Sequence, residues 1–190
     1  MELLEQRIRT DGVVKPGGVL KVDSFLNHQI DPSLLRAMAR ELRRLYDGCG
    51  VNKVLTVEAS GIGMACFVAE EFGCNAVFAK KSLTRNMSGQ VYETPVESFT
   101  HGRTYQVMVS RTYLGPEDRV LIVDDFLANG AALSGLVSLC EQAGARVVGA
   151  GIAIEKAFQS GGDKLRASGL RIESLARIAS MDPETGVTFC

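Results

Sequence analysis

The chain has 190 residues, 46% of them apolar and 23% charged. That suffices for one domain with its own core and excludes a disordered or fibrous chain. Lys plus Arg number 21 and Asp plus Glu 22, a formal charge of −1. The chain therefore has no general attraction to nucleic acid or anionic membrane, and any anion site must be local.

Glu2 to Asp11 reads as a short helix stopped by Gly12. Pro16-Gly17-Gly18 marks a turn before a short extended piece at Val19, Leu20 and Val22. Asp31-Pro32 opens a stronger helix, with Asp as N-cap and Pro in the first turn. Leu34, Leu35, Met38, Leu42 and Leu45 follow at helical spacing, up to Gly48. Lys53 to Val57 is a buried-type strand, followed by a Ser60-Gly61 turn, a helix to Phe72 and a strand at Ala76 to Ala79. Gln90 to Glu97 and Arg103 to Arg111 read as a hairpin around His101-Gly102. Arg119 to Val123 is another buried strand, followed by a loop and a helix ending at Gly144. Arg146 to Ile154, Asp163 to Ala167 and Ile172 to Ile178 read as strand, helix and strand. Strands alternating with helices predict an α/β fold, a central parallel sheet flanked by helices. Such sheets bind ligands at the carboxyl ends of their strands. The informative residues are then those just after Val57, Ala79, Val123 and Ile154.

The five cysteines, Cys49, Cys66, Cys74, Cys140 and Cys190, form no CxxC pair, which argues against a disulfide framework or a zinc site. Met1-Glu2-Leu3-Leu4-Glu5 lacks the basic start and apolar run of a signal peptide. The longest apolar run, Val147 to Ile154, is eight residues, far below the roughly 18 that span a bilayer. His28 and His101 are too few and too isolated for a metal site, and GxSxG, HExxH and GxxxxGK do not occur. The expectation is a cytoplasmic protein with no nucleic-acid or membrane partner and no metal held by its own side chains.

Val120-Leu121-Ile122-Val123-Asp124-Asp125-Phe126-Leu127-Ala128-Asn129-Gly130-Ala131-Ala132 is the most informative stretch. An apolar strand runs into two adjacent carboxylates, then a loop of small residues, then a helix. Small residues let the backbone wrap an anion, and a helix start offers unpaired N–H groups with a partial positive charge. Two acids beside a phosphate need compensation. Vicinal hydroxyls donating to them would supply it, as would a bound Mg²⁺. A ribose 5-phosphate satisfies both halves, with Asp124 and Asp125 on the hydroxyls and Ala128, Asn129, Gly130, Ala131 and Ala132 on the phosphate.

On these residues the chain resembles the purine/pyrimidine phosphoribosyltransferase family, type I. Its signature is an apolar strand, two acids and a small-residue loop that holds the 5-phosphate of phosphoribosyl pyrophosphate. The threonines and second glycine common in that loop are absent here. The likeness is narrower, to the xanthine-using branch, and runs over essentially the whole chain. It includes Gly18 to Gln29, Val57-Glu58-Ala59-Ser60-Gly61-Ile62 and Ile154-Glu155-Lys156-Ala157-Phe158. The resemblance implies a single phosphoribosyltransferase domain over 1–190, with a small hood containing the N-terminal segment. It implies phosphoribosyl transfer to xanthine, Mg²⁺ carried mainly by the pyrophosphate, and a homodimer. It places Ser60 and Gly61 on the pyrophosphate through backbone N–H groups. It makes the basic stretch from Lys80 to Gly89 a loop that closes over the site, with Lys81 and Arg85 compensating charge. It assigns Lys156 to the exocyclic oxygen of the base, with Phe158 a stacking candidate, and brings Leu20 and Asn27 to the base from the hood. Residues alone favour Lys156 as well, since a lysine at a strand's carboxyl end can donate to a purine carbonyl.

Two other classes stay open at this point. One is a non-catalytic sensor of phosphoribosyl pyrophosphate with the same fold. The other is an NADP-dependent oxidoreductase built on Gly61-Ile62-Gly63-Met64-Ala65-Cys66, a partial dinucleotide fingerprint followed by Lys80-Lys81.

Overall fold

The computed structural model describes residues 1–82, 90–98 and 103–190, residues 98 and 103 by their backbone alone. Helix α1 is Glu2–Asp11. A hairpin of β1, Val13–Lys15, and β2, Val19–Lys21, follows. A single wide helical turn covers Asp23–Asn27. Helix α2 is Pro32–Leu45. The Asp31 carboxylate accepts from the N–H groups of Ser33 at 3.0 Å and Leu34 at 3.1 Å, so it is the N-cap the sequence predicts. The helix ends three residues short of Gly48, at Leu45. Tyr46 is fully buried and turns the chain inward there.

Next come β3, Lys53–Val57; α3, Gly61–Phe72; and β4, Asn75–Ala79. Then follow the hairpin strands β5, Val91–Ser98, and β6, Arg103–Ser110. The rest is β7, Arg119–Leu127; α4, Ala131–Ala143; β8, Arg146–Lys156; α5, Gly161–Ala167; β9, Ile172–Asp182; and β10, Gly186–Phe189.

Six strands form the central sheet in the order β10-β9-β8-β7-β3-β4, parallel except for β10. This is the parallel α/β sheet expected, with β1 and β10 as short strands that the sequence reading did not separate. Alternate side chains of β7 serve opposite faces. Leu121 and Val123 pack with residues of α1, α2 and α3, whereas Val120 and Ile122 pack with α4 and the β5–β6 hairpin. That hairpin joins the sheet through Lys80 and Met108, which exchange N–H···O bonds of 2.9 Å. The β1–β2 hairpin and the wide turn form a hood, anchored by Leu20, Val22, Phe25 and Leu26 in the core that α1 and α2 also share.

The chain runs from β3 outward to β4, then returns to place β7 on the other side of β3. The topological switch therefore lies between β3 and β7, where a doubly wound sheet opens a crevice at its carboxyl ends.

The Tyr46 hydroxyl ties α2 to this frame, donating to the Ala150 carbonyl at 2.9 Å. The Arg171 guanidinium lies 4.4 Å from its ring centroid, and burial pushes the phenol up, so it stays a donor. Tyr46→Phe is expected to cost about 1 kcal/mol of stability, read by urea denaturation, with turnover unchanged.

Candidate active site

Both acids lie inside β7, where the sequence reading stopped the strand at Val123. Pairing with β8 continues past them, Asp124 opposite Ile152 and Leu127 opposite Glu155. The long partner strand carries the ladder through residues whose polarity alone argued for a loop. Asp124 is 6% exposed and Asp125 8%. The Asp124 carboxylate accepts from the Asp125 N–H at 3.0 Å. Burial, then the neighbouring Asp125, hold Asp124 well above the usual carboxylate range, and the Lys81 ammonium partly opposes them. The pair is thus electrostatically unrelieved by itself, a state that a cation or hydrogen-bond donors would discharge.

The hood reaches this pair through Asn27, whose side-chain N–H donates to Asp125 Oδ2 at 3.2 Å. The turn after β3 reaches it through Gly61. A Cβ at Gly61 would overlap Thr56 Oγ1 and lie 3.2 Å from Asp124 Oδ1, so only glycine lets α3 begin here. The buried Thr56 hydroxyl has no hydrogen-bond partner among the described residues. The turn is fixed from outside as well: Glu58 accepts from the Lys81 N–H at 2.6 Å, and its own N–H donates to the Ala79 carbonyl at 3.0 Å.

After β7 the chain passes through Ala128 and Asn129 to Gly130, whose φ of +85° is the left-handed conformation glycine tolerates. Helix α4 starts at Ala131, so the five cradle residues divide into a three-residue bend and the first two helical positions. The first N–H groups of a helix lack acceptors within it. Here Asn129 Oδ1 accepts from the Ala131 N–H at 3.1 Å, a local cap on one of the amides the sequence reading reserves for phosphate.

On the far side of the crevice the Lys156 ammonium donates to the Gly18 carbonyl of the hood at 2.8 Å and lies 5.7 Å from the Phe126 ring centroid. Burial lowers its pKa. Leu20 is buried in β2, two residues from Gly18, whereas Phe158 is 47% exposed. Lys81 is exposed, 5.2 Å from the Tyr105 ring centroid. Burial and the nearby Asp124 raise the Tyr105 phenol. Arg85 lies outside the described residues, as does most of the predicted closing loop.

The structure thus brings Asp124, Asp125, Asn27 and Gly61 together, with the 128–132 bend following directly. Lys156 meets the hood at Gly18, two residues from Leu20. Among the described residues, no three His, Cys, Asp or Glu gather as metal ligands. Gly63 of the partial dinucleotide fingerprint is half-buried and faces the side chains of Ile30 and Leu35: a Cβ there would stand 2.8 Å from Ile30 Cδ1 and 3.5 Å from Leu35 Cδ2. Sequence reasoning missed Thr56 and the buried carboxylate of Glu155. Neither carries a spacing signal, although an acid directly after the apolar run of β8 and still within the strand marks Glu155 as needing partners.

Comparison with known proteins bears directly on this crevice. The phosphoribosyl transferase domain model matches residues 21–168. The chain belongs to the phosphoribosyltransferase family. It is 55% identical to a xanthine phosphoribosyltransferase of Lachnoclostridium phytofermentans, over 98% of this chain and 96% of that protein. It is 54% identical to one of Bifidobacterium adolescentis, over 98% and 97% respectively. Among solved structures, the Giardia lamblia adenine phosphoribosyltransferase complexed with 9-deazaadenine superposes with a TM-score of 0.78 at 23% identity, covering 92% of this chain and 97% of that one. The likeness to that structure shows the fold alone, that of the type I phosphoribosyltransferases.

Asp124→Asn keeps an oxygen for the Asp125 N–H and removes a carboxyl whose ionised form burial and Asp125 disfavour. It is expected to stabilise the unliganded protein by about 1 kcal/mol at neutral pH and to lower kcat about a hundredfold. Because the folded value lies above the unfolded one near 3.8, the native state holds the proton more tightly. Its contribution is favourable in acid and is lost as pH rises from the unfolded value through the folded one. Urea denaturation should therefore show the stability gap between variant and parent widening from pH 4 to pH 7.

Proposed function

We propose that the chain transfers the 5-phosphoribosyl group from phosphoribosyl pyrophosphate to xanthine, giving xanthosine 5′-monophosphate and pyrophosphate, a purine-salvage reaction. The observation that carries this is the buried acid pair running into the small-residue bend and helix start, in a chain more than half identical to proteins named for that activity. Transferase relatives at this identity favour catalysis over a non-catalytic sensor. Gly63 lies against the side chains of Ile30 and Leu35, where a pyrophosphate would need open backbone, and this speaks against a dinucleotide site.

In this reading the backbone of 128–132 takes the 5-phosphate, and that remote binding orients the anomeric carbon. Asp124 and Asp125 accept hydrogen bonds from the ribose hydroxyls, which discharges the repulsion between them. Their negative charge favours the oxocarbenium character that develops as the bond to pyrophosphate breaks and the bond to the base nitrogen forms. Ser60 and Gly61 offer backbone N–H groups to the pyrophosphate, with Lys81 and Arg85 adding positive charge. Closure of the Lys80 to Gly89 stretch would keep water from the ribosyl centre. Mg²⁺ riding on the pyrophosphate would stabilise the leaving group, and the acid pair fits a site that welcomes a cation. The base lies between the hood and β8. Lys156 has three N–H donors, so it can keep Gly18 and still donate to an exocyclic oxygen, while Asn27 and Leu20 bound the other side.

Residues 1–190 act as one domain in this reading, since the segments outside 21–168 supply helix α1, most of the hood's hairpin and the last strands of the same sheet. A homodimer has a place beside β4, the sheet edge, where Phe78 and Tyr113 are exposed along a groove of about 780 Å³. The five cysteines are unpaired, with burial pushing the Cys140 thiol up to about 12, which suits the reducing cytoplasm. No helix among the described residues is long and apolar enough to cross a membrane.

Steady-state assays with phosphoribosyl pyrophosphate and xanthine, guanine, hypoxanthine or adenine should show the highest kcat/KM for xanthine. A preference for adenine, or no turnover with any base, would contradict the proposal. Lys156→Ala is expected to raise the KM for xanthine roughly tenfold and leave that for phosphoribosyl pyrophosphate unchanged. An unaltered xanthine KM would remove Lys156 from the base site.

A further inference from the structure

The end of β8 sends two adjacent charged side chains to different places. Lys156 reaches the hood, whereas Glu155 is 2% exposed and meets helix α5 and strand β9. Arg166 donates to both Glu155 oxygens, at 2.6 and 2.7 Å, in a bidentate pair. Ser174 donates at 2.5 Å and Arg177 at 3.2 Å. Burial pushes the carboxyl up, but the bonds from Arg166 and Ser174 outweigh it and hold it below its ordinary value. A buried acid with such a set of donors is costly to assemble, and none of the steps assigned above uses it.

What this cluster grips is α5, and α5 abuts the phosphate bend. At Gly162 a Cβ would overlap Glu155 Oε1 and stand 2.8 Å from the Arg166 guanidinium. At Gly161 a Cβ would overlap the carbonyl groups of Ala128 and Asn129 and stand 2.6 Å from the Gly130 nitrogen. At Gly130 a Cβ would lie 3.0 Å from Leu165 Cδ1. The first turn of α5 is therefore wedged between Glu155 on one side and the backbone of 128–130 on the other.

We propose that Glu155 and Arg166 are positioning residues for phosphoribosyl pyrophosphate: their ion pair holds α5 so that Gly161 and Leu165 brace the 128–130 backbone in its anion-accepting shape. This rests on the reading of 128–132 as the 5-phosphate site. The brace acts on the bend before any ligand arrives, so the orientation of its N–H groups is set in advance. Through the opposite side of the same strand end, Lys156 serves the base. Damage to the brace should thus fall on one substrate and spare the other, an asymmetry that general loss of structure would not give.

The test compares Gly161→Ala, Arg166→Leu, Arg166→Lys and the double variant Gly161→Ala/Arg166→Leu. The readouts are the KM for each substrate, the Kd of ribose 5-phosphate by titration calorimetry, and thermal melting. Gly161→Ala and Arg166→Leu should each raise the KM for phosphoribosyl pyrophosphate and the Kd of ribose 5-phosphate roughly tenfold or more, with the KM for xanthine unchanged. Arg166→Lys, which keeps the charge and loses the fork, should fall between parent and Arg166→Leu. In the double variant the losses should not add, because both break one line of contact. If Arg166→Leu fails to fold, Gly161→Ala and Arg166→Lys carry the comparison. Unchanged ribose 5-phosphate binding in folded variants, equal loss for both substrates, or additive losses would overturn the proposal. A parent protein that binds ribose 5-phosphate without turnover would instead defeat the transferase reading, leaving the calorimetric comparison to decide this one.

Discussion

Two carboxylates held side by side, each less than a tenth exposed, repel each other, and water reaches them too little to screen that repulsion. Asp124 and Asp125 are in this position because β7 pairs with β8 beyond the apolar run, drawing both acids into the ladder. Among the described residues the fold offers them little to offset the charge: one side-chain amide from Asn27, one backbone N–H and the field of Lys81. A ligand with adjacent hydroxyl donors and a phosphate for the following bend fits the deficit. The same unrelieved charge suits a reaction in which positive charge grows on the sugar.

The remaining parts of the crevice follow from the position of β7 at the switch in strand order. β3 on one side brings the turn at Ser60 and Gly61 against Asp124, and β8 on the other ends in Glu155 and Lys156. Each of these three strand ends meets a different piece of the substrates in the proposed reaction. The hood is tied to two of them, through Asn27 to Asp125 and through Lys156 to Gly18, which sets the base pocket in register with the sugar pocket. Helix α5 closes the arrangement from behind, with Gly161 against the bend and Gly162 against Glu155.

Much of this was legible from residue order. The helix cap at Asp31, the buried strands and the acid pair leading to a helix start all depend on neighbours in the chain, which a sequence displays. The polar extension of β7 was not legible, because its partner strand supplies the reason for it. Strands β1 and β10, three and four residues long, are too short to display a period and exist through pairing with β2 and β9. Glu155 shows the limit most clearly. Its partners Arg166, Ser174 and Arg177 lie 11, 19 and 22 residues away, at no spacing that marks a shared site. Asn27 was placed near the base by resemblance, but its bond to Asp125, 98 residues distant, follows only from the packing of the hood.

The most direct test of the central claim is a crystal structure of the protein with xanthosine 5′-monophosphate bound. The account predicts the 5′-phosphate against the backbone N–H groups of 128–132, the ribose hydroxyls on Asp124 and Asp125, and the base between Lys156 and Asn27. A nucleotide bound elsewhere, with the acid pair contacting neither hydroxyl, would contradict it.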